Sequence, residues 1–474
     1  MKYHFFKVSI FFIVLTMIIL MSCSMKNHEG RKFYASQNGA VLNSDVYKGG
    51  GADDTDALQS ILDRAPQLGR LHLVLDGAAR ISRSLKIHSN TTIECPDKSC
   101  GIFLSDSSNC SIFHNANFDL ETIRDCNITI LGGVYNHNSP GQIHHHGEFF
   151  DRITHEVNYF NLVYGMEFYG VENFLMRDAT IANQRVWAMM MANWKHVTIE
   201  NVHVDRRERA DHQNQDGLHF FGPGRFLTLR NIRGNSGDDF IALTPDEHDF
   251  KSSIEDVLIE GVQLEEADQG IRLLVRDEGK LDRIIIRNVT GTYRSYGFYI
   301  NPWFEGKGGH YGNIMFDNID LRPMKNNYDY ATPFLFKLGG NIESITFKNI
   351  YQHTPDYNHQ MFYIGGAYAS DSPEIESQPT KIDRMIVDGL YIDERNENGI
   401  PDNYFLIKSD VGILSINNVI LNRDKKIPRK SSLIKMEGGT IEELRMNNIS
   451  VPGFEKMIDA KPEDIKNKKI FNAD

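Results

Sequence analysis

Three aspartates carry the clearest chemical signal in the chain. Asn214, Asp216 and Gly217 open one short apolar run, GLHF, and Gly237, Asp238 and Asp239 precede a second, FIAL. If the two runs are equivalent strands of successive turns, Asp216 and Asp239 fall in one column, with Asp238 one position earlier. Residues 23 apart in sequence then share one outer surface. Crowded carboxylates oppose one another's ionisation, so at least one should hold its proton above the usual range. A protonated carboxyl beside ionised ones suits glycosidic bond cleavage. One group protonates the leaving oxygen, and another activates water or forms a covalent intermediate. The spacing alone does not tell acid from base.

Several neighbours are candidate sugar ligands. His212 and His219 bracket Asp216, and His219, between Leu218 and Phe220, can share its outward face. Arg272 faces out if Ile271 and Leu273 face in. It and Arg276 could clamp a sugar carboxylate bidentately, although Asp277 and Glu278 could equally neutralise Arg276. Tyr299 and Trp303 follow on a plausible groove wall, where aromatic faces could stack on pyranose rings. His144, His145 and His146 are consecutive, and their side chains point apart in extended chain, so one shared metal is not expected. The chemistry requires no metal and no organic cofactor.

These residues need a scaffold that stacks distant segments, and the repeat provides it. From residue 197 onward one alternating phrase recurs: VTIENV, LTLRNI, VLIEGV, IIIRNV, IMFDNI, ITFKNI, MIVDGL, LSINNV and LRMNNI. Its Asn or Gly falls at 201, 231, 261, 288, 318, 349, 389, 418 and 448, at spacings of 30, 30, 27, 30, 31, 40, 29 and 30. Each period carries a second apolar burst and leaves no room for a long helix. The expected fold is all-β, a single-stranded right-handed parallel β-helix whose coils bury one another's apolar faces. The recurring Asn reads as a structural turn residue, since Asn and Gly tolerate the left-handed conformation. Asp54 or Thr55 can cap a helix carrying Leu58, Ile61 and Leu62, which would seal the N-terminal end. The polar C-terminal segment KPEDIKNKKIFNAD reads as a cap or a frayed end.

The chain has 474 residues, with 51 Lys plus Arg against 63 Asp plus Glu. That acidic balance, with no basic stripe, argues against a nucleic-acid partner. Residues 1–22 read as a lipoprotein signal peptide. Lys2 and Lys7 precede an apolar run too short for a typical span of ~30 Å of hydrocarbon, and Leu20-Met21-Ser22-Cys23 ends it. Cys23 would then bear the lipid, residues 23–35 form a tether and residues 36–474 the β-helix domain. The expected location is the bacterial cell envelope, as an outer-membrane lipoprotein facing the periplasm or the surface, with the lipid as its membrane contact. Cys95, Cys100, Cys110 and Cys126 are either locally bridged or buried free thiols. A capped β-helix completes its own core, so a monomer is expected.

Asn214-Gln215-Asp216-Gly217 and Ser236-Gly237-Asp238-Asp239 resemble the Asn-x-Asp and Asp-Asp motifs of glycoside hydrolase family 28, the polygalacturonase and rhamnogalacturonase group. The N-terminal segment resembles the opening of the wider pectate-lyase-like β-helix superfamily. The family resemblance extends over about residues 40 to 455. It implies an inverting hydrolase with Asp238 as general acid, while Asp216 and Asp239 position and deprotonate water. The chain departs from the family at two places. Gln269-Gly270 stands where the family has His-Gly, and Gly297-Phe298-Tyr299-Ile300 stands where it has Arg-x-Lys. The departures point away from plain polygalacturonan and toward a rhamnogalacturonan-like or substituted pectic substrate. Two other classes fit the sequence: a glycan-binding β-helix without turnover, and a Ca²⁺-dependent polysaccharide lyase in which aspartates ligate the metal.

Overall fold

The computed structural model describes residues 31–149, 151, 157–207, 214–249, 251–301, 309–325, 333–353, 359–365, 381–394, 401–423 and 432–473. Cys23, His212 and Trp303 lie outside them. The described strands stack in parallel into a right-handed β-helix with one short helix near its start. The alternating phrases fall in register, Val197 beside Leu227, Leu227 beside Val257 and Val257 beside Ile284. Equivalent residues of adjacent coils therefore stand one inter-strand spacing apart, ~4.8 Å. Inside, like side chains stack on like: Phe298, Phe336, Phe362 and Phe405 form a column with ring centroids 4.9, 5.1 and 4.7 Å apart.

The recurring turn residues do what their chemistry allows. Asn201, Asn231, Asn288, Asn318, Asn349, Asn418 and Asn448 all have φ between 51° and 57°. Their amides also bond along the column, Asn231 Nδ2 to Asn201 Oδ1 at 3.0 Å and Asn318 Nδ2 to Asn288 Oδ1 at 2.8 Å. Where the column carries Gly261 (φ 71°), a Cβ would lie 2.7 Å from Asn231 Oδ1.

Four details of the ends depart from the sequence reading or decide between its alternatives. Lys32–Tyr34 already pairs with His72–Val74, so the body begins at about residue 32 rather than 36; Phe33 packs against the core and draws the end of the expected tether into the sheet. The capping helix α1 (Thr55–Leu62) buries Leu58, Ile61 and Leu62 as expected. Its first N–H, on Thr55, is met by Asp53 Oδ1 at 3.0 Å, because Asp54 is occupied accepting from Val41 N and Leu42 N. The C-terminal segment caps the last coil and does not fray: Ile465–Ala473 adds a last parallel strand along Ile441–Ser450, with Ile465 and Ala473 against the core. Cys95, Cys100 and Cys110 are free thiols, and burial pushes Cys95 up to about 12.

Candidate functional site

Five strands build the site: β1 (Leu218–Phe220), β2 (Asp239–Leu243), β3 (Ile254–Leu273), β4 (Lys280–Ile300) and β5 (Phe334–Leu338). β1 and β2 pair Leu218 with Ile241 and Phe220 with Leu243, and Gly217 N donates to Asp239 O at 2.9 Å. Asp216 and Asp239 are therefore column neighbours, as their spacing predicts. Gly217 permits the close approach, since a Cβ there would lie 2.2 Å from Phe240 O. The column continues through Gln269, Tyr296 and Phe334, each paired with the one before. A second column runs His219, Ala242, Arg272, Tyr299 and Lys337.

Asp238 sits on the turn between Asp216 and Asp239. Ser236 Oγ donates to its carbonyl at 2.7 Å, and Asn214 N donates to its Oδ2 at 3.1 Å. Burial, then the charges of Asp216 and Asp239, push its pKa well above the ordinary carboxylate value. Asp239 is raised to about 7 by burial; Arg272 opposes the shift, Asp216 adds to it and the Tyr296 hydroxyl opposes it. Burial also raises Asp216, against a hydrogen bond and the charge of His219.

The aspartates are less open than a water-filled groove would have them. Asp216 is 3% exposed and Asp239 8%, while Asp238 is half-buried. Two sets of side chains cover the column. Trp187 stacks on His219, which is bonded to Asp216, and is itself packed by Tyr159 and Tyr164 from the excursion preceding Met166. At the other side the Tyr296 hydroxyl lies between the Asp239 carboxylate and the Gln269 amide oxygen. Asp238 is the member of the triad most open to solvent.

The ligand candidates divide accordingly. Asn214 contributes its backbone N–H to Asp238, and Gln269 is half-buried beside Tyr296. His219 and Arg272 join the aspartates and are buried. His219 Nδ1 lies 2.7 Å from Asp216 Oδ2. Arg272 donates to the Tyr296 hydroxyl at 3.4 Å and lies over the Tyr299 ring at 4.3 Å. Tyr299 is thus buried beneath cations instead of forming an open platform. Arg276 braces a neighbouring loop, its Nη1 donating to Glu247 O at 3.1 Å.

Sequence reasoning missed Glu247, Tyr296, Trp187 and Lys337. Glu247 lies in the turn after β2, 3.6 Å from His219 Nε2, and also accepts from the Tyr159 hydroxyl. No spacing rule points to a turn residue of that kind. Tyr296 and Lys337 were within reach: extending the column beyond Gln269 lands on the first, and extending it beyond Tyr299 lands on the second. Burial, with Arg272 and Lys408 nearby, lowers Lys337 to about 7.

The strands and their turns define a right-handed parallel β-helix. The chain is similar in structure to a tailspike protein of E. coli bacteriophage HK620 solved with a pentasaccharide, at 11% identity over 93% of this chain and 78% of that one, TM-score 0.58. It is similar to a hyperthermoactive exopolygalacturonase from Thermotoga maritima, at 13% identity over 84% and 93%, TM-score 0.50. The A-module of a mannuronan C-5 epimerase from Azotobacter vinelandii matches at 11% identity over 90% and 99%, TM-score 0.52. No family model and no curated protein matches the sequence. Identities this low establish the fold, and the chemistry has to be argued from the site.

Proposed function

We propose that this protein is an inverting glycoside hydrolase acting on an envelope-accessible polysaccharide or oligosaccharide. One observation carries the reading. Asp238, the most accessible of the three aspartates, lies beside Asp216 and Asp239, and burial with their charges pushes its pKa well above the ordinary carboxylate value. A protonated Asp238 donates to the leaving oxygen; Asp216, ionised beside His219, deprotonates the attacking water, and Asp239 helps to position it. Arg272 and Lys337 stand in the adjoining column and supply cationic groups that the Arg-x-Lys position lacks. Both are buried among the aspartates and aromatic rings, so the pectic, rhamnogalacturonan-like or substituted substrate class rests on the sequence departures at Gln269-Gly270 and Gly297-Phe298-Tyr299-Ile300. The protein acts as a monomer, tethered to the outer membrane by a lipid on Cys23.

The near-complete burial of Asp216 and Asp239 favours a second reading, a glycan-binding β-helix without turnover. One experiment separates the two: incubation of wild type and Asp238→Asn with a panel of pectic and neutral glycans in H₂¹⁸O, with EDTA in a parallel set. The expected result is a saturated product carrying ¹⁸O, released by wild type with or without EDTA. Asp238→Asn should lower the rate by about 10²–10⁴. Unsaturated products, or sugar binding with no product, would overturn the hydrolytic reading.

A further inference from the structure

The imidazole absent at Gln269-Gly270 has a counterpart in the preceding coils. His219 Nδ1 lies 2.7 Å from Asp216 Oδ2; on the other side Nε2 lies 2.8 Å from Thr244 Oγ1 and 3.6 Å from Glu247 Oε2. The ring is 3% exposed and stacks on Trp187, with centroids 3.5 Å apart and planes within 4°. Glu247 is itself fixed, its carboxylate accepting from the Tyr159 hydroxyl and its carbonyl from Arg276. A neutral imidazole could donate to Asp216 and accept from the Thr244 hydroxyl, but only the imidazolium donates at both edges and places a positive charge between Asp216 and Glu247. Both ring nitrogens and one ring face are engaged within the protein, which leaves a poor sugar ligand.

We propose that His219 is the positioning residue of this site: held as an imidazolium between Asp216 and Glu247 under Trp187, it keeps Asp216 ionised and aimed. This role rests on the hydrolytic reading of Asp216. The ionisable groups around the ring come from separate elements. Asp216 precedes β1, Asp239 opens β2 and Glu247 follows it; Arg272 ends β3, and Tyr159 and Tyr164 come from the excursion. Burial opposes a charge on His219, but hydrogen bonds and charge from Asp216 and Glu247 raise it to about 9. Glu247 is correspondingly lowered, burial being outweighed by His219.

The test has a structural arm and a kinetic arm. Full-length protein labelled with ¹⁵N-histidine is titrated by NMR, with the His219 signals assigned by their loss in His219→Asn. Both ring nitrogens should stay protonated through pH 7 and titrate near 9. In Glu247→Gln the midpoint should fall by about one pH unit or more. A neutral His219 at pH 7, or a midpoint unmoved in Glu247→Gln, would overturn the proposal, and neither measurement requires turnover. In the kinetic arm, losing the imidazolium raises the Asp216 pKa, so the acidic limb of kcat/KM in His219→Asn should move up by about one pH unit or more. A higher KM with the limb unmoved would instead make His219 a sugar contact and refute the positioning role. If wild type turns over no glycan, the hydrolytic reading fails, and the NMR titration still decides whether the clamp exists.

Discussion

Replacing Asp239 by Asn should stabilise the fold while disabling the site, and the gain should grow with pH. Asp239 titrates at about 7 in the folded protein against 3.8 for an ordinary carboxyl, mainly because it is buried. The folded state thus binds this proton more tightly than the unfolded chain does. The associated stability is fully present below about pH 4 and is lost as pH rises toward 7. Relative to strongly acid pH the stability lost is about 4 kcal/mol at pH 8 and, because only the unfolded carboxyl has ionised by then, about 2 kcal/mol at pH 5. Asn mimics that neutral form in shape and keeps an oxygen to accept from the Tyr296 hydroxyl. The assay is thermal unfolding of wild type and Asp239→Asn by circular dichroism at pH 5 and pH 8, with hydrolysis measured alongside. The variant should melt above wild type, with a clearly larger gap at pH 8. A gap that stays constant, or a wild type that is the more stable protein at pH 8, would refute the claim that the column stores an unfavourable charge.

The turn column makes a separate prediction. Gly261→Ala forces a Cβ into the left-handed region and should cost about 1–2 kcal/mol, whereas Gly261→Asn restores the residue used at Asn231 and Asn288 and should cost less; melting temperatures of the two variants check the order. The thiols make another. Without reductant, Cys95, Cys100 and Cys110 should all alkylate after denaturation, and Cys95 should resist reagent in the native state because burial raises its pKa; mass spectrometry of labelled peptides reads both.

What the sequence made legible is what the repeat dictates. Once GLHF and FIAL are matched, the pairing of Leu218 with Ile241 puts Asp216 beside Asp239 without further information. The same arithmetic finds the turn asparagines, because φ > 0 at a fixed place in each coil restricts the residue types there. It fails where a contact comes from outside the repeat. Tyr159 and Tyr164 reach Trp187 from an excursion, and Glu247 reaches His219 from a turn, so no periodicity encodes them. Burial was misjudged for the same reason. Alternation correctly turns Arg272 and His219 away from the core, but it cannot show that Tyr296, Tyr299 and Trp187 then close over them.

These unpredicted contacts decide how the aspartates can be charged. Asp216, Asp238, Asp239 and Glu247 gather around two strong cations, Arg272 and His219, with Lys337 lowered to about 7. Four carboxylates cannot all ionise against two positive charges in a buried cluster, so protons must remain on some of them at neutral pH. His219 favours the ionised form of Asp216 and Glu247, which leaves the retained protons to Asp238 and Asp239. Asp238 is the more exposed of those two, so under the proposed hydrolysis it is the carboxyl placed to meet a leaving oxygen from solvent. The division of labour between acid and base then follows from which carboxylates have a cation within hydrogen-bonding reach, a distinction that three aspartates in a sequence cannot make by themselves.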